Sequence, residues 1–121
     1  MATSDLATKH CVPCEGGTPP MSRAEAERYV ADAPGWRLVE SDPLKIERSF
    51  KHKDFAQAMA FVNTVAGIAE AEAHHPDIRI SWNRVQLELF THAIDGLSEN
   101  DFILAAKINQ AKEGGAQHDT S

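Results

Sequence analysis

From Ile78 to Phe90 the chain alternates apolar and polar side chains twice over, and only Asn83-Arg84 stands between the two runs. Ile78, Ile80 and Trp82 alternate with Arg79 and Ser81; Val85, Leu87 and Leu89 alternate with Gln86, Glu88 and Phe90. A period of two over such lengths calls for half-buried strands. A link this short joins them antiparallel, as a hairpin. Asparagine tolerates the positive φ of a tight turn, so the turn is expected at Asn83-Arg84. One face of that hairpin has to be covered, and the rest of the chain must supply the cover.

Helical segments are at hand. Over Asp54–Ala73 the residues Phe55, Met59, Val62, Ala66 and Ala69 fall on one helical face, widened by Phe61, Val65 and Ile68. Pro76 then stops the segment, because the residue before a proline avoids helical angles. Ser22-Arg23-Ala24-Glu25 has the form of a capping box opening a short helix to about Ala31, which Ala33-Pro34-Gly35 terminates. Trp36–Glu40 and Leu44–Lys51 read as two more strands about Ser41-Asp42-Pro43. In the second, Leu44, Ile46 and Phe50 alternate with polar residues, and Arg48 breaks the apolar row, as at a sheet edge or a site-facing position. Ser98 caps a last helix, with Leu97 and Phe102 as its hydrophobic staple and Gly114-Gly115 as its stop.

The order helix, strand, strand, helix, strand, strand, helix predicts an α+β fold: a four-stranded antiparallel sheet with helices packed on one face. Residues 1–20, rich in glycine and proline, form an irregular lead. Residues 21–113 form the domain, and 114–121 a polar tail.

With 121 residues there is room for one domain with a small core, which favours burying surface against a second copy. A net charge of −6 disfavours non-specific attraction to nucleic acid or to an anionic membrane. Met1–His10 lacks the apolar run of a signal peptide, and no stretch approaches a membrane span, so a cytoplasmic protein is expected. Both cysteines sit in His10-Cys11-Val12-Pro13-Cys14-Glu15-Gly16-Gly17. Such a pair can be a redox couple, half of a zinc site or a structural feature. The sequence holds no second pair to complete a four-cysteine site, and loop residues follow where a redox helix would start, so a structural or incidental role is expected.

His74-His75 stands where the long helix gives way to a loop, a place where rigid elements present catalytic side chains. His92 lies just past the second hairpin strand, which can return it towards that pair. Histidine exchanges protons near neutral pH. Glu70, four residues before His74, can share its helical face and orient an imidazole. Three histidines and a glutamate are also adequate zinc ligands, but adjacent side chains diverge from one another and no His-x-x-x-His pair is present. His52, in Lys51-His52-Lys53, reads as exposed.

Glu70, His74-His75-Pro76-Asp77, Trp82-Asn83-Arg84-Val85, Thr91-His92, Gly96-Leu97-Ser98 and Asp101, with Trp36, Phe50, Phe55, Phe61, Leu89 and Leu104-Ala105, together resemble the pterin-4a-carbinolamine dehydratase family from Ser22 to Gln110. The cysteine-containing lead is similar to that of bacterial-type members. The resemblance implies an antiparallel α+β fold and neither metal nor organic cofactor. It implies dehydration of 4a-hydroxytetrahydropterin to quinonoid dihydropterin and water, recycling the pterin of aromatic amino acid hydroxylases such as phenylalanine hydroxylase. It assigns His74, His75 and His92 to acid–base work and Glu70 to orienting or sharing a proton. Pro76, Asp77, Thr91 and Trp82 flank the substrate, and a homodimer or homotetramer is implied. Many members carry an aromatic residue at the place of Ile78, some an arginine at that of Asn100 and an acid at that of Ala73. Two other readings remain open. One is a non-catalytic binding or assembly module of the same fold, of the kind that serves as a dimerisation cofactor for a homeodomain transcription factor. The other is a zinc protein using His10, Cys11 and Cys14.

Overall fold

The computed structural model describes residues 19–114 together with Leu6, Thr8, Lys9 and Cys11. In chain order it contains α1 (Arg23–Val30), β1 (Arg37–Val39), β2 (Lys45–Lys51), α2 (Phe55–Glu72), β3 (Asp77–Ser81), β4 (Arg84–Leu89), a single 3-10 turn (His92–Ile94) and α3 (Glu99–Gly114). The strands form one antiparallel sheet in the order β1-β2-β4-β3, so the expected α+β architecture is the one observed.

The helices begin where side chains can take free backbone N–H groups. Ser22 Oγ accepts from Glu25 N at 3.1 Å, and Asp54 Oδ1 accepts from Gln57 N at 2.9 Å. Ile46, Phe50, Val85, Leu87 and Leu89 project from one face of the two central strands. They pack into a core with Phe61 and Val65 of α2 and Phe102, Leu104 and Ile108 of α3. Among the described residues no helix is long and apolar enough to cross a membrane.

Three local expectations are corrected. Arg48 does not mark an edge, because β2 is an interior strand. Its guanidinium donates to Asn109 Oδ1 at 2.5 Å and lies 4.5 Å from the Phe50 ring centroid, while the same Asn109 oxygen accepts from Trp36 Nε1 at 2.8 Å. Arg48 therefore ties the sheet to α3, away from the histidines. The β3–β4 turn falls on Trp82-Asn83, one residue earlier than expected. Trp82 takes the positive φ of 52°, and Asn83 Nδ2 donates instead to the carbonyl of His52 at 2.9 Å. His52 is only 2% exposed: its N–H donates to Asn83 O at 2.8 Å and its ring lies 5.0 Å from that of Phe61.

The flanking lysines of His52 are exposed, but the strand turns the imidazole inward onto α2. His52→Ala should accordingly lower stability by about 2–4 kcal/mol, the range of large-to-small core changes. Urea unfolding would check this, and a native midpoint would contradict the packing described.

Candidate active site

Helix α2 ends on Ala73, whose φ of 54° and ψ of 38° are left-handed. Ala73 N donates to Glu70 O at 3.3 Å and His74 N donates to Ala69 O at 3.1 Å. That pair of bonds is a Schellman ending, which reverses the chain out of the helix. It also decides the partners of the two histidines. Glu70 and His74 no longer share a helical face, so the expected pairing between them is replaced. Glu70 Oε2 instead meets His75 Nε2 at 2.7 Å, with both side chains well exposed. His74 turns inward, only 12% exposed, and its Nε2 lies 2.6 Å from Asp101 Oδ1.

Asp101 is the fully buried centre of this arrangement. It sits in the first turn of α3, where its Oδ2 accepts from Ser98 N at 3.0 Å, the returning half of a capping box. The same oxygen accepts from Thr91 Oγ1 at 2.8 Å. Thr91 is itself held by reciprocal backbone bonds with Gly96. A carboxylate can only accept, so the His74 nitrogen facing Asp101 carries hydrogen and the lone pair of the neutral ring lies on Nδ1. His92 opens the 3-10 turn beyond β4, exposed, with its ring 4.1 Å from that of Phe90.

These side chains surround an open cavity of about 480 Å³. His74, His75, Pro76 and Asp77 form one side; Phe90, Thr91, His92 and Ala93 form another. Thus His74, His75, His92, Pro76, Asp77 and Thr91 line one cavity. Glu70 stands behind His75, outside the lining. Trp82 is not brought in. It is 67% exposed at the opposite end of the hairpin.

Six lining residues, Cys11, Glu72, Ala73, Phe90, Ala93 and Asn100, were not assigned to the site from sequence. Glu72 is nearly buried; its Oε1 accepts from Cys11 N at 2.7 Å and its Oε2 faces Lys107 Nζ at 3.7 Å. This carboxylate holds the Cys11 backbone against the cavity. Cys11 Sγ lies 3.5 Å from Asn100 O, and burial, with the nearby Glu72 and Asp101 charges, pushes its thiol up to about 12. Cys11 is therefore a protonated wall residue at neutral pH. Asn100 completes that wall. His10 and Cys14 lie outside the described residues. Among the described residues no group of three or more His, Cys, Asp or Glu side chains is placed to hold a metal ion. The signal for Asp101 was present in the sequence, as an acid three positions after a capping serine.

A family model described as Pterin 4 alpha carbinolamine dehydratase matches residues 19–111, most of the chain. The chain belongs to the pterin-4-alpha-carbinolamine dehydratase family. A protein of Rubrobacter xylanophilus named for pterin-4-alpha-carbinolamine dehydratase is 48% identical over 107 residues, covering 88% of this chain and 98% of that one. One of Nitrosospira multiformis, named likewise, is 50% identical over 105 residues, 87% of this chain and 90% of that one. Among solved structures, the transcriptional coactivator/pterin dehydratase from Brucella melitensis superposes with a TM-score of 0.70 at 35% identity, over 75% of this chain and 96% of that one. A pterin dehydratase-like protein described as a RuBisCO assembly factor in the alpha-carboxysome superposes with a TM-score of 0.55 at 25% identity, covering 63% and 87% of the two chains. The family's fold thus accommodates both kinds of description.

Proposed function

We propose that this protein is a hydro-lyase that dehydrates 4a-hydroxytetrahydropterin to quinonoid dihydropterin and water. The observation that carries the reading is the convergence of His74, His75 and His92, from two separate segments, on one cavity. Its size lies within the usual range for small-molecule sites. In the reaction the C4a–O bond breaks, the hydroxyl leaves as water after accepting a proton, and N5 gives up its proton as the C4a–N5 double bond forms. One proton is delivered and one removed, which is work for histidines on a single cavity. Asp101 holds His74 in one tautomer and orientation, as a positioning residue. Glu70 orients His75 from outside. Pro76, Asp77 and Thr91 shape the contact with the substrate.

Purified protein is expected to accelerate loss of the 4a-hydroxypterin absorbance above its spontaneous decay, and to do so equally in excess chelator. A rate that does not depend on protein concentration would overturn the reading. Abolition by chelator would overturn the metal-free acid–base mechanism. The substrate class agrees with a place beside an aromatic amino acid hydroxylase such as phenylalanine hydroxylase, whose oxidised pterin needs this step before reduction. The second reading, a binding or assembly module without turnover, draws on the RuBisCO assembly factor of similar fold. The complete set of cavity histidines favours the enzyme.

A further inference from the structure

The core draws the helices onto one face of the sheet, and the side chains alternating with Phe50, Val85 and Leu87 point the other way. That outer face carries its charge in two rows. In one, Glu47 stands opposite Glu88, and Glu88 opposite Asp77. About 13 Å further along the strands, at ~3.3 Å per residue, Lys51 stands opposite Arg84, with Arg79 diagonal to Arg84 on β3.

Like charges directly opposite one another destabilise a strand pair. The acidic row is compensated, since Glu47 pairs with Arg37, and Glu88 with Lys45 at 3.7 Å. The basic row is not. Lys51, Arg79 and Arg84 are exposed and, among the described residues, make no ion pair. In a chain with a net charge of −6 they form a local reversal of sign. Trp82, 67% exposed, stands beside them at the turn that joins β3 to β4.

We propose that this end of the outer sheet face is a docking site for a short acidic segment of a partner protein, lying extended across β2, β4 and β3. An extended segment places alternate side chains on one side, ~7 Å apart. Diagonal neighbours in a sheet have about the same separation, so carboxylates at alternate positions can face Arg79 and Arg84 together. The partner's charge removes the repulsion between Lys51 and Arg84 that the free protein leaves standing. Trp82 offers an apolar ring at the end of the row, a residue type enriched where one protein anchors in another. The acidic row limits the length of the occupant. A nucleic-acid strand or an anionic bilayer would extend over Glu47, Glu88 and Asp77, against the sign of the whole chain, whereas a short segment stops before them.

The test is fluorescence anisotropy with a labelled peptide of about seven residues, bearing glutamate at alternate positions, leucine at one end and serine elsewhere. Saturable binding is expected, weakening with added salt. Lys51→Glu and Arg79→Glu each turn an attraction into a repulsion and should weaken binding by about tenfold or more. Lys51→Glu also sets opposite charges across β2 and β4, so its melting temperature should hold or rise while binding falls. Misfolding therefore cannot imitate the expected result. Arg28→Glu makes the same change of net charge at an exposed position of α1, on the covered side of the sheet, and should stay within about twofold of native affinity. Lack of saturation up to about 1 mM peptide, or equal weakening by Arg28→Glu, would overturn the proposal. So would tighter binding of a short oligothymidylate, or of vesicles containing phosphatidylserine, lost on the same substitutions. The readout is binding and not turnover, so it is independent of whether the cavity dehydrates a pterin.

Discussion

Replacing His75 or His92 by alanine should reduce the enzymatic part of 4a-hydroxypterin dehydration by about 10²–10⁴-fold, the usual weight of a general acid–base group, with the fold intact. Intact folding is expected because neither ring is in the core. His75 projects from the loop after α2 with Glu70, a pair exposed to water of the kind that contributes little to stability. His92 stands exposed on a 3-10 turn whose backbone is held by Thr91 and Gly96. Burial rules out His52→Ala as a control, since its loss of rate could come from unfolding. Lys53→Ala, on an exposed position of the adjoining turn, is the better comparison and should keep native turnover. The measurement is initial rate corrected for the spontaneous reaction, with circular dichroism beside it. Native rates in both folded histidine variants would remove the acid–base assignment.

The architecture was readable because each element carried its own period and punctuation. Alternation marked β3 and β4, the 3.6-residue repeat marked α2, and Ser22 and Ser98 marked helix starts. Most of the misreadings have their physical origin in contacts between segments, and one in a local helix ending. Lys51-His52-Lys53 is polar in sequence, yet Phe61 from α2 and the Asn83 backbone enclose the middle residue. Glu70 and His74 have the spacing of helical neighbours, but the left-handed Ala73 ends the helix between them. A tryptophan is an unfavourable choice for positive φ, so composition pointed to Asn83, while the hydrogen bond from Asn83 to His52 puts the turn on Trp82 instead. Glu72 and Cys11 lie 61 positions apart, and nothing in local pattern could have joined them. The three histidines proposed for acid–base work were read from sequence, and the pairings of His74 with Asp101 and of His75 with Glu70 were not.

The residue most responsible for that placement is Asp101, and two substitutions separate its roles. Its carboxylate faces three donors: the His74 ring nitrogen, the Thr91 hydroxyl and the Ser98 amide. Asp101→Ala leaves them unsatisfied in a fully buried place and opens a void. Breaking a buried pair in this way typically costs about 3–5 kcal/mol, so the variant should melt well below the native protein. Low activity there would say little about mechanism. Asp101→Asn is nearly isosteric, and its side-chain oxygen can still accept from Thr91 and Ser98. The amide nitrogen then faces His74 and can only donate. The ring must accept at Nε2, which moves its hydrogen to Nδ1 and reverses the tautomer set by the carboxylate. A change of that type in other acid–base enzymes lowers kcat by up to about 10⁴-fold with geometry retained. The expected result is a folded Asp101→Asn protein whose kcat falls by about 10²-fold or more, while KM moves little. Thr91→Val removes one donor to the carboxylate without touching the tautomer, and should lose far less rate. Should Asp101→Asn keep native kcat, His74 does not exchange a proton in the reaction, and the acid–base work falls to His75 and His92 alone.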